Sequence, residues 1–271
     1  MSIIRKTLFD HQNGKDSVTL HRGWHQTEII FKDIDTGEPI LTTHNRVLIA
    51  GSQTVACKVF DLPELVALPT YNQDLSLDNS QSHGTDPTNT PKVCLFCCGT
   101  QGCGKENSQV YPERYTNRID PEGDLVPFRY QLPQNDLTAE QRAKYFGRKT
   151  LADRIAYYFK GFETDPVLKM RYIDGTVIDD SLYDSENTTD AETFVEMSLR
   201  ITKDDFRDYF RATTGINDAR INSISLVTAW YTESDGYKWY QDITPFTQLN
   251  IPNEPLIDLT KGIDITYHIY F

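Results

Sequence analysis

GIDITYHIYF (262–271) alternates without a break, with Ile263, Ile265, Tyr267, Ile269 and Phe271 on one side. Successive side chains of a strand point to opposite faces, so this run buries one face and wets the other. TFVEMSLRI (193–201) repeats the pattern through Val195, Met197, Leu199 and Ile201. Working outward, INSISLVTAWYT (221–232) reads as a further strand, turned by Asp235-Gly236 into YKWYQDITPF (237–246). VLKMRYI and TVIDD flank Asp174-Gly175, a pair suited to a type I′ hairpin turn. Near the start, SVTLHRG (17–23), HQTEIIFKDIDTG (25–37) and EPILTTHNRVLIAGSQTVACKVF (38–60) are strand-like, with a turn at Asp35-Thr36-Gly37. VPFRYQL (126–132) is one more candidate.

Two helical insertions interrupt these strands. Thr138 and Gln141 have capping-box spacing, and apolar residues at three- and four-residue intervals predict helix over 139–147 and 150–160. Gly147 and Gly161 serve as stops or kinks. Thr202 is placed to cap a helix over 203–213, with Asp204 and Asp205 in its first turn and Gly215 at its end. Strands from end to end with few helices predict a mainly β, α+β chain, a β-sandwich or jelly-roll-like fold. Three regions follow: an N-terminal β region (1–72), a polar loop with a cysteine-rich insertion (73–123) and a C-terminal sandwich region with two helical segments (124–271). Residues 73–92 are rich in Ser, Asn, Asp, Thr and Pro and read as a long exposed loop, and 180–192 as an acidic one.

The chain has 271 residues, and 39 acidic against 27 basic residues give a net charge of −12. That balance argues against coating a phosphate backbone, which needs clustered Lys and Arg. No run reaches the length of a membrane span, and MSIIRKTLFDHQNGKD (1–16) lacks the apolar core of a signal peptide. The expectation is a chain with no membrane partner and no specific nucleic acid. With 15 Tyr and 13 Phe, the composition itself leans toward half-buried strands.

Five cysteines are present, four of them in Cys94-Leu-Phe-Cys97-Cys98-Gly-Thr-Gln-Gly-Cys103. A CxxC turn can converge two sulfurs on Zn²⁺, so Cys94, Cys97, Cys98 and Cys103 are the candidate ligands of a structural zinc. The second knuckle of a usual zinc site is lacking, with only His83 as a remote ligand, and free or redox-paired thiols are the plainer reading. An odd count points to maturation in a reducing cytosol. Gly99 to Lys105 nearly spells a phosphate-binding loop, but Glu106 stands where Ser or Thr would hold Mg²⁺. Asp33, Asp35 and Glu38 read as a hairpin turn rather than a calcium loop, and His21 with His25 as residues of a strand rather than a metal pair. HExxH and GxSxG are absent from the sequence. No cofactor and no catalytic residue is assigned.

DLVPFRYQLPQNDLTAEQRAKYFGRKT (124–150), AYYFKGFETDPVLKMRYIDGT (156–176), FVEMSLRITKDDFRDYF (194–210) and ARINSISLVTAWYTESDGYKWYQDITPFTQLNIPNEPLI (219–257), closing on DITYHIYF, resemble the virion structural proteins of tailed bacteriophages. The resemblance covers about half the chain and carries over no catalytic residue. It implies a non-enzymatic subunit of a homo-oligomeric ring at the neck or head–tail connector. The subunit would contact other connector, tail or baseplate proteins, be made in the host cytoplasm and end in the virion. A baseplate or tail-fibre attachment protein is the next reading. A carbohydrate-binding β-sandwich is the competing class, with Trp24, Trp230 and Trp239 as its signature residues, although Trp230 and Trp239 also suit simple cross-strand packing.

Overall fold

The computed structural model describes residues 27–43, 46–47, 70–71, 77–78, 91–104, 109–111, 125–172, 177–178, 191–215, 219–234, 237–252 and 262–270. In chain order the strands are β1 (Thr27–Asp33), β2 (Pro39–Thr43), β3 (Arg46–Val47), β4 (Thr70–Tyr71), β5 (Leu77–Asp78), β6 (Lys92–Gly99), β7 (Leu125–Val126) and β8 (Arg129–Gln131). They continue as β9 (Tyr145–Thr150), β10 (Ile155–Gly161), β11 (Thr164–Tyr172), β12 (Val177–Ile178), β13 (Ala191–Ile201), β14 (Ser223–Ser234), β15 (Tyr237–Asn250) and β16 (Ile263–Tyr270). Helices α1 (Ala139–Arg142) and α2 (Arg207–Ala212) are short.

Two antiparallel sheets result. The first runs β12-β11-β13-β16-β1-β2, and the second runs β5-β4-β15-β14-β6-β10-β8 with β3, β7 and β9 attached. The mainly β fold class read from the sequence is correct, and the layers stack as a sandwich. Strands from all three sequence regions interleave: β1 pairs β16, and β6 lies between β14 and β10. The cysteine-rich stretch therefore opens with a central strand.

Alternation places the core. Met197, Leu199 and Ile201 of β13, Ile263, Ile265, Tyr267 and Ile269 of β16, and Ile29 and Phe31 of β1 face the second sheet. There they meet Phe96 and Cys98 of β6, Ile224 and Leu226 of β14, and Phe246 and Leu249 of β15. Each fully buried side chain of this size contributes roughly 1.5–3 kcal/mol. Thr247 Oγ1 and the Tyr267 hydroxyl hydrogen-bond across the layers at 3.0 Å. Leu95, Cys97, Val227, Ala229 and Ile243 form a separate apolar cluster on the other face of the second sheet.

That double burial corrects the first helical expectation. α1 covers only Ala139–Arg142, with the Thr138–Gln141 capping box formed, and the rest of 139–160 is the β9–β10 hairpin. Ile155 and Tyr157 of β10 join the inter-sheet core while Ala156, Tyr158 and Phe159 join the other cluster. A strand buried on both faces is continuously apolar, and such a run mimics helical spacing. Gly147 is not a helix stop. It holds φ at +67°, and a Cβ there would lie 2.4 Å from the Phe159 ring.

The second helix is shorter than expected and differently capped. It starts after Phe206, whose φ is +64°, and no side chain caps it. Thr202 is not the cap; its backbone N–H donates to Asp205 Oδ2 at 2.8 Å. Tertiary packing overrides the local cap, because Phe206 is buried with its ring 4.6 Å from that of Phe128. Gly215 ends the helix as expected, donating to the Phe210 carbonyl at 2.7 Å.

The turn at Asp35-Thr36-Gly37 forms: Asp33 Oδ1 accepts from the N–H groups of Asp35 and Thr36 at 2.9 and 3.1 Å. β11 and β12 pair antiparallel, but with Arg171 opposite Val177, one residue away from the register that a two-residue turn at Asp174-Gly175 would set. Asp174-Gly175, Asp235-Gly236, residues 180–190 and most of 73–90 lie outside the described residues.

Candidate functional site

Residues of both sheets line a cleft of about 740 Å³. Val195, Met197 and Ile269 of the first sheet line it with Val93 and Phe246 of the inter-sheet core, and Phe146, Tyr231 and Tyr240 come from the cluster on the other face of the second sheet. Leu168 lies directly opposite Val195 in the β11–β13 register and is 64% exposed, so the apolar wall continues onto the surface. Lys92, Asp165, Glu233 and Lys238 supply the charged lining. Clefts of this size and character are where small ligands or partner side chains lodge.

One side of the cleft is the distal part of the β14–β15 hairpin. The pairs are Trp230–Gln241, Tyr231–Tyr240, Thr232–Trp239, Glu233–Lys238 and Ser234–Tyr237. Because strand side chains alternate, Tyr231, Glu233, Lys238 and Tyr240 share one face and line the cleft. Trp230, Thr232, Tyr237, Trp239 and Gln241 share the opposite face. Register shifts at Leu226/Val227 and Thr228/Trp230, with Asp242 at φ +50°, separate this arm from the regular ribbon. Bulges of this kind bend a strand and strengthen its twist.

Trp239 is 55% exposed and stands opposite Thr232 rather than Trp230. The two tryptophans are therefore diagonal neighbours on one face rather than a directly opposed pair. Trp230 is half-buried, and Trp24 lies outside the described residues. On the cleft side, burial raises the Tyr240 hydroxyl well above its ordinary value, with the Cys94 thiol adding to the effect.

The predicted zinc ligands are not brought together. Cys97 and Cys98 follow one another along β6, so their sulfurs point to opposite faces and enter different apolar clusters. Cys94 lines the cleft with its sulfur toward the Ala229 carbonyl, and Cys103 lies beyond the strand, bridged to Val110. The CxxC is pulled out as strand instead of folding into a knuckle. Among the described residues no three His, Cys, Asp or Glu side chains gather as a metal set. Cys94, Cys97, Cys98 and Cys103 form no disulfide with one another. Burial pushes the Cys94 thiol up to about 12 and the Cys98 thiol well above its usual value, so neither is a thiolate at neutral pH. Cys57, His21, His25 and His83 lie outside the described residues.

The stretch resembling a phosphate loop is spent internally. Gly102 N–H donates to Asn222 Oδ1 at 2.6 Å, and Gly104 N–H donates to the Gln109 carbonyl at 2.9 Å. Neither amide is left for an anion.

A charged cluster that the sequence did not mark sits between the layers. Lys160 of β10 donates from Nζ to Asp205 Oδ2 at 2.6 Å and to the Arg200 carbonyl of β13 at 2.7 Å. The Tyr145 hydroxyl donates to Asp205 Oδ1 at 2.7 Å. Lys160 Nζ also lies 5.3 Å from the Tyr145 ring centre. Burial, with Asp205 beside it, raises the Tyr145 hydroxyl. The cluster is closed on itself and ties the second sheet to the first and to the loop before α2. Lys160, between a Gly-flanked aromatic run, carried no periodic signal that would have predicted it.

Comparison with protein-family models, with curated proteins and with solved structures finds no match for this chain.

Proposed function

We propose that the chain is a non-enzymatic structural subunit of a tailed-phage virion, one of many copies forming a ring at the neck, where head and tail join. The observation that carries this reading is the exposed apolar surface on ordered strands. Leu168 and Val167 of β11, Ile40 of β2, and Trp239 and Tyr237 of the arm are all exposed. In a chain of net charge −12, such positions are adhesive surfaces. The buried charged groups Lys160 and Asp205, by contrast, are matched to each other rather than presented to a substrate. The stretches that resemble phage virion proteins contain β7 to β9, β11, β14 and β15 and most of β10, β13 and β16, so the resemblance falls on the sandwich strands.

A subunit of this kind needs stiff layers, surfaces that fit sister copies, and little affinity for the DNA that passes it. The acidic balance serves the last requirement. Neighbouring connector, tail or baseplate proteins are the expected further partners, and the chain would be made in the host cytoplasm. Immunogold labelling of purified particles with antibodies to this chain tests the reading. Clustered label at the head–tail junction is expected. Label confined to the distal tail would favour the baseplate or fibre-attachment alternative, and unlabelled particles would overturn the reading.

One observation favours a second reading, a carbohydrate-binding module. Tyr237, Trp239 and Gln241 lie on one exposed strand face. Aromatic rings beside an amide can stack on and hydrogen-bond a neutral sugar. Glycan-array binding that is lost in Trp239→Ala would support it.

A further inference from the structure

We infer that the chain carries a small-molecule site between β8 and α2 that binds a free α-amino acid, with the ligand's carboxylate on Arg154 and Arg211 and its ammonium on Asp208. The site is a pocket of about 320 Å³, separate from the larger cleft and at the low end of the range that holds small ligands, roughly 300–1,000 Å³. Tyr130, Asn135, Arg154, Asp208 and Arg211 are among its lining residues. They come from β8 and the turn after it, from the residue before β10, and from α2, so only the fold brings them together.

The walls are held by contacts of their own. Tyr130 packs edge-on against Tyr209 of α2 with ring centres 5.5 Å apart, and the Arg154 guanidinium lies over the same Tyr130 ring at 5.8 Å. The buried Gln131 side chain donates to the Asn135 carbonyl and fixes the turn that carries Asn135. The charged groups, by contrast, keep their bonding capacity. Arg154 meets a carboxylate only through Nε, 3.6 Å from the largely exposed Asp153. Asp204 and Arg207 form an ion pair three residues apart, at 2.7 Å. Asp208 and Arg211 have the same spacing on α2, yet neither side chain makes an ion pair or hydrogen bond with a described residue. The Asn135 side-chain amide is likewise without a partner among the described residues.

These groups specify the ligand by charge. Two guanidiniums match one carboxylate, each giving it a charge-assisted hydrogen bond. A bare anion would also face Asp208, which repels it. A ligand with a carboxylate and an ammonium on the same carbon satisfies all three charges. The Asn135 side-chain carbonyl can accept from that ammonium as well.

Chemical-shift titration of the isotope-labelled full-length chain tests this, with glycine, acetate, methylamine and inorganic phosphate as probes at one pH and ionic strength. Glycine is expected to saturate shifts at Tyr130, Arg154, Asp208 and Arg211, and to bind roughly tenfold or more tighter than each of the other three. Arg211→Gln, a change at an exposed position, should weaken glycine roughly tenfold or more. Asp208→Asn should leave acetate bound at least as tightly as in the wild type while removing glycine's advantage over it. Acetate binding in that variant reports an intact pocket, so the loss is of ammonium recognition and not of the fold. Should either variant fail to fold, the comparison of probes on the wild type still decides. Acetate or phosphate that binds the wild type as tightly as glycine overturns the inference in favour of a plain anion site. A glycine affinity unchanged by Arg211→Gln overturns it too, as does an advantage over acetate that survives Asp208→Asn. Glycine that produces no saturable shift at the pocket ends it outright.

Discussion

Lys160 Nζ lies 2.6 Å from Asp205 Oδ2, and the two side chains are 5% and 0% exposed. The pair joins β10 to the segment between β13 and α2, and each remaining polar contact of the cluster is made by Tyr145, Thr202 or the Arg200 carbonyl. A buried pair gains little over an apolar pair of the same shape, but half of one is costly. Asp205→Asn should therefore lose about 3–5 kcal/mol in urea denaturation. Lys160→Met with Asp205→Leu should lose less than Asp205→Asn alone, though some loss remains because the Tyr145 hydroxyl and Thr202 N–H lose their acceptor. Equal losses in both would mean that the charge is not what the site is built around.

Three glycines rank themselves by what a methyl group would meet. At Gly102 the Cβ would sit 2.0 Å from the Asn222 carbonyl oxygen, and at Gly147 it would sit 2.4 Å from the Phe159 ring at φ +67°. At Gly37, with φ +71°, nothing lies within 4 Å. Gly37→Ala should cost only the left-handed backbone, about 1–2 kcal/mol. Gly147→Ala adds overpacking of roughly 1–3 kcal/mol. Gly102→Ala should be the most damaging, since backbone cannot move aside as a ring can. Melting temperatures of the three variants check the order.

Glu196 of β13 accepts from Lys169 and pairs with His268 Nε2 at 2.9 Å. Burial alone would raise its carboxyl, but these two partners outweigh it and hold the group below its ordinary 4.5. The folded value lies below the unfolded one, so the stabilisation is present above about pH 4.5 and drains as the pH falls through the folded value. Glu196→Gln should lower the melting temperature at pH 7 and flatten its decline toward pH 3. The effect is modest because the carboxyl is partly exposed. A wild-type decline that the variant fully retains would contradict the assignment.

How far the sequence carried depended on whether a strand had one wet face. β13 and β16 were legible because Arg200 and Asp264, hydrogen-bonded to each other on the outer face, alternate with the core residues. β10 was misread because Ala156 and Tyr157 are both buried, on opposite sides of their sheet. The cleft was hidden for another reason: Val195, Phe146 and Tyr240 come from three distant stretches, and only pairing brings them together. In the arm, Trp230-Tyr231 and Trp239-Tyr240 place aromatics on both faces, so no period reveals which ring is exposed.

The cysteines provide a further check. Cys97, Cys98 and Cys103 are buried, and Cys94 is half-buried with its thiol pushed up to about 12. Native protein should react slowly with a thiol reagent at these four positions, and denatured protein should react at all five cysteines. Added Zn²⁺ should leave the melting temperature unchanged, since Cys97 and Cys98 face opposite ways. Zinc-dependent stabilisation would restore the metal reading.

The virion assignment is tested most directly by electron cryo-microscopy of purified particles at a resolution that traces strands. The account predicts the two-sheet subunit repeated around the tail axis at the neck. Density there that excludes this strand order, or particles that lack the chain altogether, would contradict it.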